Sequence, residues 1–129
     1  MLGLKNVHHI AIICSNYERS KKFYKVVLGC TIILETFRAE RNSYKLDLAV
    51  NATYVIELFS FDNPPARPSK PESCGLRHLA FSVDNIDTSI EYLKTKGVLC
   101  EPIRIDTLTN KRFTFFADPD GLPLELYEG

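Results

Sequence analysis

An α+β fold built from two copies of a β-α-β-β-β unit is what this sequence predicts, on three observations. Hydrophobic periodicity alternates between about two and about 3.6 residues, in the same order twice. His9-Ile10-Ala11, Asn16 and Ser20 recur as His78-Leu79-Ala80, Asn85 and Ser89, each 69 positions on. Between the copies, residues 62–73 hold prolines at 64, 65, 68 and 71, which cannot continue a sheet and read as a connector. Repeat one therefore spans about residues 5–61 and repeat two about 74–129. A unit of about 60 residues is too small to cover its own sheet, so the two are expected to pack as one domain, 1–129.

The elements follow in order. Residues 7–13 are β-branched and apolar, which predicts a strand. Ser15 with Glu18 three residues on has capping-box spacing, and Tyr17, Phe23, Tyr24, Val27 and Leu28 form the apolar face of a helix that Gly29 should stop. Strands are expected over 30–38, 43–50 and 53–60. In the second copy, 76–83 reads as a strand and 86–96 as a helix with Ile86, Ile90 and Leu93 on one side, ended by Gly97. Strands over 98–105, 112–117 and 122–127 complete it, the last two joined by the turn Asp118-Pro119-Asp120-Gly121.

Composition narrows the function. The chain has 16 Lys plus Arg against 16 Asp plus Glu, so no net field draws nucleic acid or anionic lipid. No apolar run approaches the roughly 18 residues of a membrane span. Residues 1–5 do not open a signal peptide, and the expected compartment is the cytoplasm. Cys14, Cys30, Cys74 and Cys100 form no Cys-x-x-Cys pair and are expected as reduced thiols without disulfides.

Register within the strands singles out four polar residues, because side chains alternate faces. His9 shares a face with Ala11 and Ile13, opposite Ile10 and Ile12; His78 likewise opposes Leu79, Phe81 and Val83. Glu57 opposes Ile56 and Leu58, and Glu125 opposes Leu124 and Leu126. A lone strand histidine is more often a rim residue and a lone strand glutamate more often faces water, but the same pair in each repeat is hard to produce by accident. A carboxylate among Val55, Ile56, Leu58 and Phe59 needs a partner. Two imidazoles and two carboxylates around one divalent ion, zinc, nickel, cobalt, manganese or iron(II), would supply it. His8 falls in the register of Ile10 and Ile12 and reads as structural.

At this point the residues resemble a known family. His9-Ile10-Ala11-Ile12, Val55-Ile56-Glu57-Leu58, Arg77-His78-Leu79-Ala80-Phe81-Ser82-Val83 and the ending Asp118-Pro119-Asp120-Gly121-Leu122-Pro123-Leu124-Glu125-Leu126 are similar to the glyoxalase and bleomycin-resistance branch of the vicinal oxygen chelate (VOC) superfamily. Within it, the connector and Lys111-Arg112-Phe113-Thr114-Phe115-Phe116 resemble the bacterial YaeR group of lactoylglutathione-lyase-like proteins. The resemblance implies paired βαβββ modules whose curved mixed sheets enclose a metal cleft. It also implies one divalent ion per chain, zinc or nickel first, on His9, Glu57, His78 and Glu125. The implied activity is that of a metal-dependent lyase or isomerase like glyoxalase I, acting on a small oxygenated molecule through a metal-stabilised enediolate or oxyanion. Glu125 would be the catalytic base, Glu57 would assist, and the chain would form a homodimer. A thiol transferase, a dioxygenase and a non-enzymatic drug-binding module are the alternatives. Glyoxalase I binds glutathione through an arginine and an asparagine at the positions held here by Ile13 and Phe61, so glutathione hemithioacetal activity is expected to be weak. Arg38, Arg41, Lys111 and Arg112 are candidates for another anion, with solvated surface charge as the plainer reading.

Overall fold

A computed structural model describes residues 1–129, and the chain divides into two compact units, Met1–Ala66 and Arg67–Gly129. The boundary falls inside the proline-rich connector. In the first unit, strands β1 (Ile10–Cys14), β2 (Thr31–Arg38), β3 (Ser43–Val50) and β4 (Thr53–Ser60) form a sheet in the order β1-β4-β3-β2. β1 runs parallel to β4 and the other pairs are antiparallel. The second unit repeats this with β5 (Leu79–Val83), β6 (Arg104–Asp106), β7 (Lys111–Ala117) and β8 (Pro123–Glu128) in the order β5-β8-β7-β6, β5 parallel to β8. The βαβββ repeat is therefore present in both halves.

Helix α1 (Tyr17–Lys22) and helix α2 (Ile86–Thr95) each follow the first strand of their unit. The side chain of Asn16, not Ser15, caps α1 by accepting from the Arg19 N–H at 3.1 Å, and Asn85 does the same for Thr88 at 3.1 Å. Both caps have extended backbone, which lets the amide reach back over the first turn. α1 is shorter than its apolar pattern suggested, because Phe23–Val27 widens into a π-helical turn before Gly29, at φ +74°, ends it.

Each core lies where the alternating pattern puts it. Ile12, Cys14, Tyr24, Leu46, Leu48, Ile56 and Leu58 are buried in the first unit, and Ile86, Leu93, Thr114, Phe116, Leu124 and Leu126 in the second. Three strand starts differ from expectation by more than one residue. β1 begins at Ile10 and β5 at Leu79, since only from there does the parallel neighbour offer partners, beginning Ile10 to Ile56 and Leu79 to Leu124. Residues 98–103 are not strand: Pro102 lacks an N–H, and the segment keeps a single ladder-like bond, Glu101 N–H to the Phe115 carbonyl at 2.9 Å. No helix is long and apolar enough to cross a membrane.

Candidate metal centre

His9 and His78 stand one residue ahead of β1 and β5, where the chain enters the sheet beside the glutamate of the parallel neighbour. Glu57 lies across from Ala11, and Glu125 across from Ala80. The small alanines leave room for each carboxylate to turn toward the histidine. His9 Nε2 is 3.4 Å from Glu57 Oε1, and His78 Nε2 is 3.0 Å from Glu125 Oε1. The carboxylates are buried, at 7% and 9% exposure, while the imidazoles are partly open. Two lone pairs facing each other repel, so each contact is satisfied only by a proton on Nε2 or by a cation both atoms can share. In neither unit do three or more His, Cys, Asp or Glu side chains gather as a metal-binding group; each unit offers one His–Glu pair.

His8 does not pack with Ile10 and Ile12 as its register suggested, because the strand has not yet begun there. It is exposed, and its Nδ1 lies 2.8 Å from His9 Nδ1. A hydrogen bond between these atoms orients the His9 ring with Nε2 toward Glu57, as supporting residues do around ligating histidines. His78 is oriented differently, by the edge of Phe115 with ring centres 5.1 Å apart.

Around Glu57 the sequence reading missed three residues. Tyr54 donates its hydroxyl to Glu57 Oε2. Simple alternation places Tyr54 on the opposite face, but the register slips between Ile56–Leu48 and Tyr54–Ala49, and this bulge at Val55 re-aims the ring. Asp47, 6% exposed, sits across from Glu57 on β3 and accepts from Lys45 Nζ at 2.8 Å. Lys45 Nζ also lies 3.7 Å from Glu57 Oε2. The polar members of Lys45-Leu46-Asp47-Leu48 share one face, so alternation was a signal that could have found this pair. Burial, then the hydrogen bond to Glu57, raises the Tyr54 phenol well above its ordinary range, so it remains a donor. The hydrogen bond to Asp47 raises Lys45, which stays charged.

Two of the four candidate anion-binding residues, Arg112 and Arg38, are engaged elsewhere. Arg112 is paired with Glu128 at 2.8 Å and Asp87 at 3.0 Å, tying β7 and β8 to the start of α2. The Arg38 guanidinium lies over the Phe59 and Phe61 rings, 4.8 and 5.7 Å from their centres, and donates to Ser43 Oγ at 2.8 Å. Ile13 and Phe61 are exposed, at 54% and 36%.

Comparison with known proteins agrees with the paired βαβββ fold. The sequence model of the Glyoxalase/Bleomycin resistance protein/Dioxygenase superfamily matches residues 6–126. The chain is 64% identical to the uncharacterized protein YaeR of Escherichia coli (strain K12), covering 99% of each. It is 63% identical to the uncharacterized protein YwkD of Bacillus subtilis (strain 168), covering 97% of this chain and 98% of that protein. The crystal structure of a glyoxalase family protein from Enterococcus faecalis superposes with a TM-score of 0.89 at 50% identity, covering 96% of this chain and 98% of that one. A variant of the fosfomycin resistance protein FosX from Listeria monocytogenes, complexed with Mn(II), shares the fold at a TM-score of 0.76 and 20% identity, covering 98% of this chain and 94% of that one.

Proposed function

Because the chain belongs to the Glyoxalase/Bleomycin resistance protein/Dioxygenase superfamily, we propose that it is a metal-dependent lyase or isomerase of the glyoxalase I type, working on a small oxygenated substrate. His9, Glu57, His78 and Glu125 would hold one divalent ion per chain, zinc or nickel before cobalt, manganese or iron. The observation that carries this reading is the repeated pair: in each unit a buried carboxylate turns one oxygen to an imidazole Nε2, at 3.4 and 3.0 Å. These donors suit such an ion, and a cation removes the cost of burying both carboxylates. When bound, the metal supplies Lewis-acid stabilisation of negative charge on a substrate oxygen.

The chain's own residues would divide the remaining work. Glu57 is held on Oε2 by Tyr54 and Lys45 and acts as a fixed donor. Glu125 has His78 as its one polar partner and is the better base for moving a proton between neighbouring substrate carbons. Phe115, across the ladder from Glu125, keeps water from that carboxylate. A homodimer would cover the exposed apolar side chains of β2, where Ile33, Leu34 and Phe37 are 50%, 56% and 49% accessible. A cytoplasmic location is part of the same reading.

Elemental analysis of the purified protein, paired with a turnover screen of α-oxo-aldehyde thiol adducts, catechols and epoxides, tests the proposal. About one divalent ion per chain and turnover in the first class are expected. A protein that stays metal-free after loading with zinc, nickel, cobalt and manganese would sink it. On the glutathione hemithioacetal of methylglyoxal, we expect kcat/KM about two to four powers of ten below that of efficient enzymes, because Ile13 and Phe61 offer no charge-assisted hydrogen bond to the tripeptide. A kcat/KM of roughly 10⁶ M⁻¹s⁻¹ or above would contradict that expectation.

A further inference from the structure

The proline-rich connector does more than join the repeats. Within the second unit it walls a cavity of about 410 Å³ whose lining also includes His78 and Phe115. That volume is in the range of small-molecule sites. Four cationic side chains line it, Arg67, Lys70, Arg77 and Arg104, against two acidic ones, Glu72 and Glu101. Two of the cations are neutralised on the spot: Arg77 by Glu72 at 2.9 Å, and Arg104 by Glu101 at 2.7 Å. Arg67 and Lys70 have no carboxylate partner. The cavity therefore holds about two uncompensated positive charges.

Arg67 is also fixed in place. Its Nη2 donates to the carbonyl oxygens of Leu76 at 2.7 Å and Arg77 at 3.0 Å, pinning the connector to the segment that leads into His78. Its Nε is buried without any hydrogen-bond partner. A buried guanidinium N–H left unpaired costs free energy that an incoming oxyanion would recover. Arg104 stacks over Phe113 and Phe115, 5.5 and 5.3 Å from the ring centres, and Phe115 itself lines the cavity. A cationic pocket with a pinned arginine, an exposed lysine and an aromatic side chain in its wall suits a small molecule with an anionic end.

We propose that this cavity binds the anionic group, carboxylate or phosphoryl, of the substrate whose reactive oxygens meet His78 and Glu125. The inference rests on the proposed function and names its substrate class: a small oxygenated anion, not a neutral compound. Arg67 fixes the orientation of the anionic end, and Lys70 adds attraction without geometry.

The test uses the full chain stripped of metal with a chelator and titrated at low salt, with succinate in one arm and inorganic phosphate in the other. Binding is read by calorimetry, with the histidine ring resonances followed by NMR. Saturable binding in at least one arm is expected, with the stronger arm naming the group as carboxylate or phosphoryl. Arg67→Met should weaken it about tenfold and Lys70→Met about threefold. Since Arg67 also holds two carbonyls, the exposed Lys70→Met variant carries the result if Arg67→Met misfolds. The His78 resonances should shift on binding. Absence of saturation in both arms, unchanged affinity in the variants, or saturation that leaves His78 unmoved would each overturn the proposal. Because the protein is metal-free throughout, failure here leaves the metal stoichiometry untouched, and failure of metal loading leaves this titration readable.

Discussion

Glu57 and Glu125 hold the same place in their units, each across from an alanine of the parallel strand, Ala11 or Ala80, and each facing a histidine Nε2. Their antiparallel neighbours differ. Across from Glu57 stands Asp47, balanced by Lys45; across from Glu125 stands Phe115, in contact with Phe113. The same duplicated donor is thus set once among charges and once among aromatic rings. A carboxylate whose second oxygen is engaged by a phenol and an ammonium is immobilised, whereas one with a single polar partner can exchange a proton. Under the proposed function, divergence at these neighbouring positions would separate a holding role from a reacting one.

The largest expected effect tests whether the two pairs still act as equivalents toward a metal. Glu57→Gln and Glu125→Gln should each lower metal affinity by about 100-fold or more, and so should His9→Ala and His78→Ala, in competition with a chromophoric chelator. His8→Ala, which removes only the contact that orients the His9 ring, should cost about tenfold or less. Loss confined to one unit's residues would mean that only that unit carries the donors, and the comparison would fail. Next in size is an exchange of surroundings. Phe115→Asp places a carboxylate beside Glu125 with no lysine to balance it, since Phe113 occupies the place that Lys45 holds in the first unit. A loss of about 2–3 kcal/mol in urea denaturation is expected. Asp47→Asn should cost about 1 kcal/mol or less, because Lys45 keeps Glu57 within 3.7 Å. Equal losses from the two substitutions would show that the charged setting of Glu57 has no bearing on stability.

Acid should separate the units more gently. The hydrogen bond from Lys21, then that from Tyr17, holds the Glu35 carboxyl below its ordinary range in the first unit. In the second, Arg112 and then the Ile86 N–H do this for Glu128, and the Leu108 N–H and then Tyr127 for Asp106. A lowered folded-state value means that the contribution is complete above the unfolded carboxylate value, about 4, and is lost as pH falls through the lowered values. With two such groups against one, the second unit should lose more amide-exchange protection between about pH 5 and pH 3, after correction for intrinsic rates. Greater loss in β2 and α1 than in α2 and β8 would reverse the assignment.

Much of this was legible in the residues. Strict alternation located β3 and β4 to the residue and put Glu57 and Glu125 on the face opposite Leu58 and Leu126. What escaped was set by contacts that alternation does not encode. The choice of Asn16 over Ser15 as a cap depends on which residue is extended when the helix begins. Strand 98–105 shrank to three residues because Pro102 denies the ladder an N–H. Tyr54 joined Glu57 only through a bulge, and a bulge changes parity without a sequence mark as plain as a glycine. Arg67 and Lys70 lay in a segment whose prolines announced a connector, and nothing in that composition says that a connector folds into the wall of a cavity.

The smallest effect concerns that bulge, and it decides whether the charged setting of Glu57 orients the carboxylate or only neutralises it. Tyr54 donates to Oε2, leaving Oε1 for His9. The ladder position in the second unit that matches Tyr54 across from Ala49 is Pro123 across from Ala117, which has no hydroxyl to donate, so Glu125 has no such guide. In Tyr54→Phe the ring is retained and only the hydroxyl is lost. Lys45 can then move in on Oε2 from 3.7 Å, which replaces charge balance but not direction. If the hydroxyl orients, metal affinity should fall about tenfold while stability changes by about 1 kcal/mol or less. Removing Lys45 by Lys45→Met should do the opposite, costing stability first because Asp47 is left buried beside Glu57 without its counter-ion. Should Tyr54→Phe bind metal as tightly as wild type while Lys45→Met does not, then charge balance alone sets the Glu57 site, and the bulge at Val55 serves the sheet and not the metal.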